Sequence, residues 1–239
     1  NGQRGYISFG RETAKGSTKS DLKEFWHFGQ ELEKDDPLFN EYEPNIMCDE
    51  LPKFNEVGRE TFKILEKTGV SILQALALHL GIEENYFDKK VKGGNSILRA
   101  IHYPPITSAP KGAVRAAAHG DINLITILMG ASAKGLEIQT RKGDWIAVTA
   151  LPNQVIVNIG DMMSRLTNDK LHSSIHQVTN PPKDEWGTSR FSIPFFMHPR
   201  SEMSLNCLDS CISNENPKKY SDTTAGEFLE ERIKELGLK

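Results

Sequence analysis

Three residues of types that bind metals occur in an order that suits a single ion. His119-Gly120-Asp121 comes first, and His176 follows after a long strand-rich stretch. In an extended segment the side chains of His119 and Asp121 leave the same face, so both can bind one ion. The intervening stretch is long enough for several strands to bring His176 back to them. Two imidazoles and one carboxylate hold divalent iron on one side and leave the other side open to ligands, which suits oxygen chemistry.

His172 is the alternative third ligand. It lies four positions before His176, so both side chains leave the same face of a continuous strand and alternation does not choose between them. Asn168-Asp169 is typical of a turn. A strand that leaves this turn and runs from Leu171 to Val178 places His172 nearer the mouth and His176 deeper. We therefore favour His176.

Arg190 and Ser192 form a second pattern, two positions apart in a strand-like run from Ser189 to Phe196. Both side chains project from one face, where a guanidinium beside a hydroxyl in an apolar strand offers a dry pocket for a carboxylate. Taken alone, such an arginine more often pairs with a nearby Asp or Glu. Its place one hairpin after the metal-binding histidine favours a ligand that reaches both the ion and this pair.

The elements that must position these residues are mostly short strands. After Gly93-Gly94 the predicted strands are Ser96 to Tyr103, Leu124 to Met129, Leu136 to Thr140, Trp145 to Val148, Gln154 to Ile159, Ser174 to Thr179 and Arg190 to Phe196. Helices and strands do not alternate there, which favours a sandwich or jelly roll over a doubly wound sheet. Apolar periodicity predicts a long helix from Glu56 to Leu80 on the outside of a sheet, and an amphipathic helix from Ala225 to Leu236.

Weaker signals complete the predicted organisation. Tyr6 to Phe9 and Glu24 to Phe28 are strand-like, Glu83 to Asp88 predicts a short helical turn, and Ile159-Gly160-Asp161 is typical of a chain reversal. We expect one domain over residues 1–239.

Composition excludes several classes of function. The chain has 239 residues, 38% of them hydrophobic and 26% charged, and a net charge of −3, which fits a soluble globular protein and gives no basic footprint for nucleic acid. Apolar runs such as Ile72 to Leu80 are too short to cross a bilayer. Cys48, Cys207 and Cys211 form no CxxC pair, which favours a reducing cytoplasm over a disulfide framework, with a Cys207–Cys211 pairing left open.

A series of motifs between Asn95 and His198 occurs in the order of a known family. The motifs are Arg99-Ala100-Ile101-His102-Tyr103-Pro104-Pro105, Ala118-His119-Gly120-Asp121, Leu124 to Leu128, Asn158-Ile159-Gly160-Asp161-Met162, Arg165 to Asn168, Ser173 to Val178 and Arg190-Phe191-Ser192. In this order they resemble the non-haem iron, 2-oxoglutarate-dependent dioxygenases of the isopenicillin N synthase-like family. In the family pattern the distal ligand is the histidine before Gln-Val, which is His176.

The resemblance implies a mainly β fold with flanking helices (α+β), namely a double-stranded β-helix, a jelly roll related to the cupins, over residues 95–199. It implies Fe(II) bound by His119, Asp121 and His176, and 2-oxoglutarate as cosubstrate. The keto acid chelates the iron, and its far carboxylate meets Arg190 and Ser192. Tyr103 is a further donor to this cosubstrate.

The implied reaction consumes O2, releases succinate and carbon dioxide, and hydroxylates a small-molecule substrate. Phe25 and Trp26 are candidates for lining the substrate, although both residue types more often belong to a core. We expect a monomer or weak homo-oligomer that binds neither nucleic acid nor membrane.

Two departures from the family pattern bear on these expectations. Ile101 stands where plant members commonly have Asn, which removes a polar contact near the iron. Family members also carry a further N-terminal segment, which we expect to be missing from this sequence, leaving a sheet edge exposed.

Three alternatives remain open. The same residues resemble the oxidases for isopenicillin N and aminocyclopropane carboxylate, which need no 2-oxoglutarate. Zinc accepts the same ligands and would support hydrolysis. A non-catalytic metal-binding β-helix protein is the third.

Overall fold

Two antiparallel sheets form the centre of the protein in a computed structural model that describes residues 3–14, 17–108 and 112–235. The strands are β1 (Gly5–Ile7), β2 (Glu24–Gly29), β3 (Ile97–Tyr103), β4 (Ala116–His119), β5 (Ile125–Met129), β6 (Leu136–Gln139), β7 (Trp145–Ala147), β8 (Val155–Ile159), β9 (His176–Val178) and β10 (Arg190–Met197). The larger sheet has the order β1-β2-β3-β10-β5-β8 and the smaller one β4-β9-β6-β7. Their alternating side chains define an interior between the sheets.

Buried apolar side chains from both sheets meet in that interior. Phe25, Ile101 and Tyr103 come from the larger sheet, and they pack with Ala116 and Val178 of the smaller one. Apolar side chains therefore form much of the wall of this interior.

Helix α1 (Pro52–Leu80) covers the outer face of the larger sheet, as its one-sided apolar pattern predicts. It starts four residues before the predicted Glu56, because a proline suits the first turn of a helix. It ends at Gly81, whose left-handed backbone (φ 70°) favours glycine. On the buried face, a Cβ at Gly69 would lie 2.4 Å from Met197 Sδ, so the absence of a side chain there lets the helix approach β10 closely.

The other helices differ from expectation in informative ways. Helix α2 (Asp88–Val91) begins where the predicted turn of helix was to end, and α3 (Asp161–Leu166) occupies a segment predicted only as a reversal. The C-terminal α4 (Ala225–Glu235) is confirmed within the described residues, and the predicted last residue, Leu236, lies outside them.

Strand β9 is shorter than predicted. It comprises only His176–Val178, so the continuous strand from Leu171 to Val178 that was to carry both histidines is wrong. The strand-like segments near Tyr6 and Glu24 are confirmed as β1 and β2.

Two expectations drawn from composition can be compared with the structure. Cys48, Cys207 and Cys211 are all free, so Cys207 and Cys211 form no disulfide. Among the described residues, no helix combines the length and the apolar character needed to span a bilayer.

Candidate metal centre

His119, Asp121 and His176 come together at one point between the two sheets. Each offers a ligand atom, and these atoms lie within 4.8 Å of one another. Asp121 Oδ1 is 4.0 Å from His119 Nε2 and 3.9 Å from His176 Nε2, and the two imidazole centroids are 4.4 Å apart. This is a two-histidine, one-carboxylate set, the arrangement typical of non-haem Fe(II) oxygenases.

Pairing between β4 and β9 places the two imidazoles side by side. His119 and His176 are direct partners across the two strands. The register shifts between this pair and the next one, Ala116 with Val178, which is characteristic of a β-bulge. Without the shift, Ala118 would face His176, so the irregularity brings a ligand to this position in place of a methyl group.

Backbone carbonyls orient both imidazoles. Nδ1 of His119 lies 2.7 Å from the Ala117 carbonyl, and Nδ1 of His176 lies 3.0 Å from the Ser174 carbonyl. If each Nδ1 carries the proton and donates it to the carbonyl, each Nε2 keeps its lone pair for a metal. Burial and then the neighbouring His176 lower the pKa of His119, which favours this neutral form.

Asp121 is oriented by two polar side chains from the larger sheet. Its Oδ2 accepts hydrogen bonds from Thr126 Oγ1 (2.6 Å) and Asn158 Nδ2 (2.8 Å), which leaves Oδ1 facing the imidazoles. Burial alone would raise the pKa of this carboxyl, but the two histidines and these hydrogen bonds outweigh it and lower the pKa. The donor set therefore fits Fe(II), with two imidazole Nε2 atoms, an ionised carboxylate and a hydrogen-bonded shell behind them.

The chain around Asp121 is held by the start of α3. Asp161 N–H donates to the Asp121 carbonyl at 2.7 Å, and Gly160 N–H donates to the Leu124 carbonyl at 3.0 Å. Asp121 itself follows β4 and is not part of a strand. The prediction that the His119 and Asp121 side chains lie close together is confirmed. The predicted cause, alternation along one strand, is wrong, because the strand ends at His119.

His172 is exposed and lies outside β9, and it is not part of the metal group. His176 is half-buried and is the histidine that meets His119 and Asp121. The structure thus separates the two candidates that strand parity left equal.

Arg190, Ser192 and Tyr103 line the same cavity as the three metal-group residues, and we call it the metal cavity. Arg190 is opposite Tyr103 in the β10–β3 pair, its guanidinium carbon is 4.9 Å from the Tyr103 ring centroid, and Nη1 donates to Ser192 Oγ at 3.3 Å. Burial lowers the pKa of Arg190, as expected for a guanidinium held away from water. Within the described residues Arg190 makes no ion pair with a carboxylate, so the expected alternative of a local Asp or Glu partner is not found.

Arg115 is a second buried guanidinium near Arg190, although no motif in the sequence indicated it and it does not line the metal cavity itself. It is 1% exposed, like Arg190, and its carbon lies 6.0 Å from the Tyr103 ring centroid. Nη2 donates to the Thr188 carbonyl, while Nε is buried without a partner among the described residues. Glu185 acts on Arg115 electrostatically without forming an ion pair with it, so the two buried cations together favour an anion at this end.

Phe25 and Trp26 point to opposite sides of β2. Phe25 is buried in the interior cluster with Tyr103, and its ring lies under the Arg99 guanidinium at 4.0 Å. Trp26 packs edge-on against Phe54 in the core beneath α1. Neither aromatic residue is among those that line the metal cavity. The structure therefore brings Phe25, and not Trp26, toward the interior.

Thr126 and Asn158 are the functional candidates that the sequence argument missed. They are direct partners in the β5–β8 pair. Each is a single polar residue within an otherwise apolar strand, Ile125–Met129 and Val155–Ile159. A lone polar residue in an apolar strand could have predicted a buried hydrogen bond, because a buried polar group needs a partner.

The sequence belongs to a recognised family. The family model of the 2OG-Fe(II) oxygenase superfamily matches residues 94–199. A 2OG-Fe(II) oxygenase family protein from Caulobacter crescentus shares 43% sequence identity and has a TM-score of 0.89, with 99% of this chain and 77% of that chain covered. This chain is a member of the 2OG-Fe(II) oxygenase superfamily.

Two further relatives are described more specifically. The proline hydroxylase buaE of Petromyces alliaceus is 32% identical over 98% of this chain and 75% of its own length. A full-length Neurospora crassa protein, solved in complex with alpha-KG and thymine, is 31% identical with a TM-score of 0.80, covering 97% of this chain and 73% of that one. Across three curated relatives, the chain spans 66–75% of their length.

Family membership confirms several expectations. The fold is a double-stranded β-helix, the enzyme class is that of the 2-oxoglutarate-dependent dioxygenases, and the metal and cosubstrate are Fe(II) and 2-oxoglutarate (alpha-KG).

Replacement of His176 by Ala should weaken Fe(II) binding by more than about 100-fold, because one of three ligands is lost. His172→Ala is the matched control and should bind iron as the parent does, since His172 lies outside the metal group. Anaerobic titration followed by calorimetry measures both constants. Equal losses in the two variants would contradict the assignment.

Replacement of Asn158 by Ala should weaken Fe(II) binding by about 10–100-fold, because Asp121 loses one of its two orienting hydrogen bonds. Asn206→Ala, at an exposed position, is the control. An unchanged dissociation constant for Asn158→Ala would show that Asn158 does not support the carboxylate.

Proposed function

We propose that this protein is an Fe(II)- and 2-oxoglutarate-dependent dioxygenase that couples oxidative decarboxylation of 2-oxoglutarate to hydroxylation of a small organic molecule. One observation carries the proposal. The three metal-group residues and the carboxylate-binding candidates Arg190, Ser192 and Tyr103 line one cavity.

His119, Asp121 and His176 are proposed as the iron ligands. When Fe(II) and 2-oxoglutarate are bound, they supply the activation of O2 that is coupled to release of succinate and carbon dioxide. The protein's own task is to fix three ligand atoms on one side and leave the other side open. The hydrogen bonds to Asp121 Oδ2 and the two Nδ1–carbonyl contacts provide that fixation.

Arg190, Ser192 and Tyr103 are proposed to bind the far carboxylate of 2-oxoglutarate. A guanidinium and two hydroxyls offer several donors to one carboxylate, and charge-assisted bonds of this kind are the strong ones. Because Arg190 is fully buried and has no carboxylate partner among the described residues, an incoming anion would offset the cost of its burial. Arg115 lies close enough to strengthen the same attraction.

The primary substrate is proposed to be a small molecule. The support comes from the relatives, one a proline hydroxylase and another seen with thymine. These two molecules differ in shape and charge, so neither name transfers to this chain. Phe25 is proposed to face the substrate side of the interior.

A cytoplasmic location and a monomeric or weakly associating state remain proposals. The three unpaired cysteines support the first, because reducing compartments keep thiols free. Gel filtration with light scattering measures the second.

Anaerobic addition of Fe(II) and then 2-oxoglutarate tests the proposed function. A visible charge-transfer band from the chelated keto acid is expected, followed by succinate formation when O2 is admitted. Tight iron binding without the band would contradict the proposal and favour an oxidase that needs no 2-oxoglutarate, or a non-catalytic metal protein.

Replacement of Arg190 by Ala should raise the 2-oxoglutarate concentration that gives half of the maximal band intensity by about tenfold or more. The reason is the loss of a charge-assisted contact of about 1.5–3 kcal/mol. Iron affinity should stay within about twofold of the parent, since Arg190 is not in the metal group. Arg141→Ala, at an exposed position, is the control. Unchanged dependence on 2-oxoglutarate would contradict the role of Arg190.

A further inference from the structure

A second and larger cavity, which we call the outer cavity, adjoins the metal cavity at Arg99. Its volume is about 1290 Å³. Its lining includes Glu12, His27, Gln30 and His198, and Arg99 lines both cavities. Arg99 therefore lies at the boundary between the two cavities.

Four charged side chains meet at this junction. Lys23 Nζ lies 2.6 Å from Glu12 Oε2 and 2.7 Å from Asp21 Oδ2, and Arg99 Nη1 lies 3.2 Å from the same Glu12 oxygen. Lys23 lines the metal cavity and is 5% exposed. Two cations and two carboxylates balance one another, so the junction has no net charge.

The protonation states of Glu12 and Lys23 support that balance. Burial would raise the pKa of Glu12, but Arg99 and Lys23 outweigh it and hold the pKa far below its ordinary value. Burial would lower the pKa of Lys23, but Glu12 and Asp21 outweigh it and raise the pKa. Glu12 and Lys23 are therefore both charged at neutral pH.

The two ends of the interior therefore differ in charge. Arg190 and Arg115 are buried and form no ion pair among the described residues, although Glu185 acts on Arg115 electrostatically, so that end favours an anion. At the junction, Glu12 and Asp21 already neutralise Lys23 and Arg99. A charged group entering there would leave water without gaining a counter-ion, which costs several kcal/mol in a dry site.

The junction still offers hydrogen bonds. Within the described residues, the hydrogen bonds of Arg99 use Nε, to His27 Nε2, and Nη1, to Glu12 Oε2. Arg99 Nη2 and Glu12 Oε1 take no partner there. The Arg99 guanidinium carbon lies 4.0 Å from the centroid of the Phe25 ring and 5.1 Å from that of the Phe196 ring. The Arg99 and Glu12 side chains are 17% and 26% exposed, so both are accessible to a ligand.

The wall of the outer cavity carries polar side chains as well as apolar ones. Gln30, Asn95 and His198 line it, together with Ile7 and Ile97.

We propose that the primary substrate enters with an uncharged polar group, of the amide or lactam class, which donates to Glu12 and accepts from Arg99 at the junction. The inference rests on the proposed function, because it treats the junction as the approach to the iron. It sets the substrate class apart from amino acids, amines and carboxylic acids that would present a full charge at this point.

Three probes of one shape test the proposal. Cyclohexanecarboxamide is neutral with a donor and an acceptor, cyclohexanecarboxylate is an anion, and cyclohexanemethylamine is a cation. Each is titrated anaerobically into the protein loaded with Fe(II) and 2-oxoglutarate, and the shift of the visible band gives a dissociation constant. We expect the amide to bind at least about tenfold more tightly than either charged probe, a difference of about 1.4 kcal/mol.

Charge-changing variants separate recognition from a merely structural role. Glu12→Gln leaves the junction with net positive charge and should raise the affinity for the carboxylate, relative to that for the amide, by about tenfold. Arg99→Met leaves net negative charge and should raise the relative affinity for the amine by a similar factor. Glu33→Gln and Arg141→Met, at exposed positions, should keep the parent's order.

Failure of this inference and failure of the proposed function would give different results. If the parent forms the iron–2-oxoglutarate band but binds a charged probe as tightly as the amide, or binds none, the inference is overturned and the proposed function stands. Equal losses of all probes in both junction variants would also overturn it. If the parent forms no band, the proposed function fails. Calorimetric titration of the same three probes then tests the inference separately, and the amide must still bind more tightly than either charged probe.

Discussion

The pairing of β4 with β9 is the constraint on which the rest of the site depends. It sets His119 directly against His176, and it does so only because the register shifts after the Ala116–Val178 pair. In a sheet, a slip of one residue turns every side chain to the opposite face. Here the shift puts an imidazole where regular pairing would put Ala118. Asp121 can join the two histidines because the strand ends at His119 and the chain then turns against α3.

A distribution of charge builds on this geometry. Among the described residues, one end has two buried guanidinium groups that form no ion pair, and the other end has a balanced set of four charges. The metal group forms part of the same interior. We propose that this difference in charge directs an anionic cosubstrate and an uncharged polar substrate to different ends of the interior. Asp121 itself is stabilised as a carboxylate by the neighbouring imidazoles, Thr126 and Asn158, which keeps the third ligand ready for a divalent ion.

The sequence allowed much of this to be predicted where periodicity or family motifs were strong. The long helix, the strands of the larger sheet and the placement of Arg190 beside Ser192 follow from patterns local to each segment. The metal group follows from the order of the family motifs. Strand parity did not predict the bulge in β4 or the start of β9 at His176, because both depend on pairing with a distant strand. Lys23 and Arg99 were not identified as parts of a charged cluster, because Glu12, which pairs with both, is distant from each of them in sequence. Helix α3 was missed because six residues give too little periodicity to distinguish a helix from a turn.

We propose that one interior holds iron through His119, Asp121 and His176 and anchors 2-oxoglutarate at Arg190. A crystal structure of the protein loaded anaerobically with Fe(II) and 2-oxoglutarate, with anomalous diffraction recorded at the iron edge, would locate both ligands. We expect a single strong anomalous peak bonded to both Nε2 atoms and to Asp121 Oδ1, with the far carboxylate of 2-oxoglutarate against Arg190 and Ser192. Iron bound elsewhere, or a 2-oxoglutarate carboxylate paired with Lys23 or Arg99 instead, would contradict it.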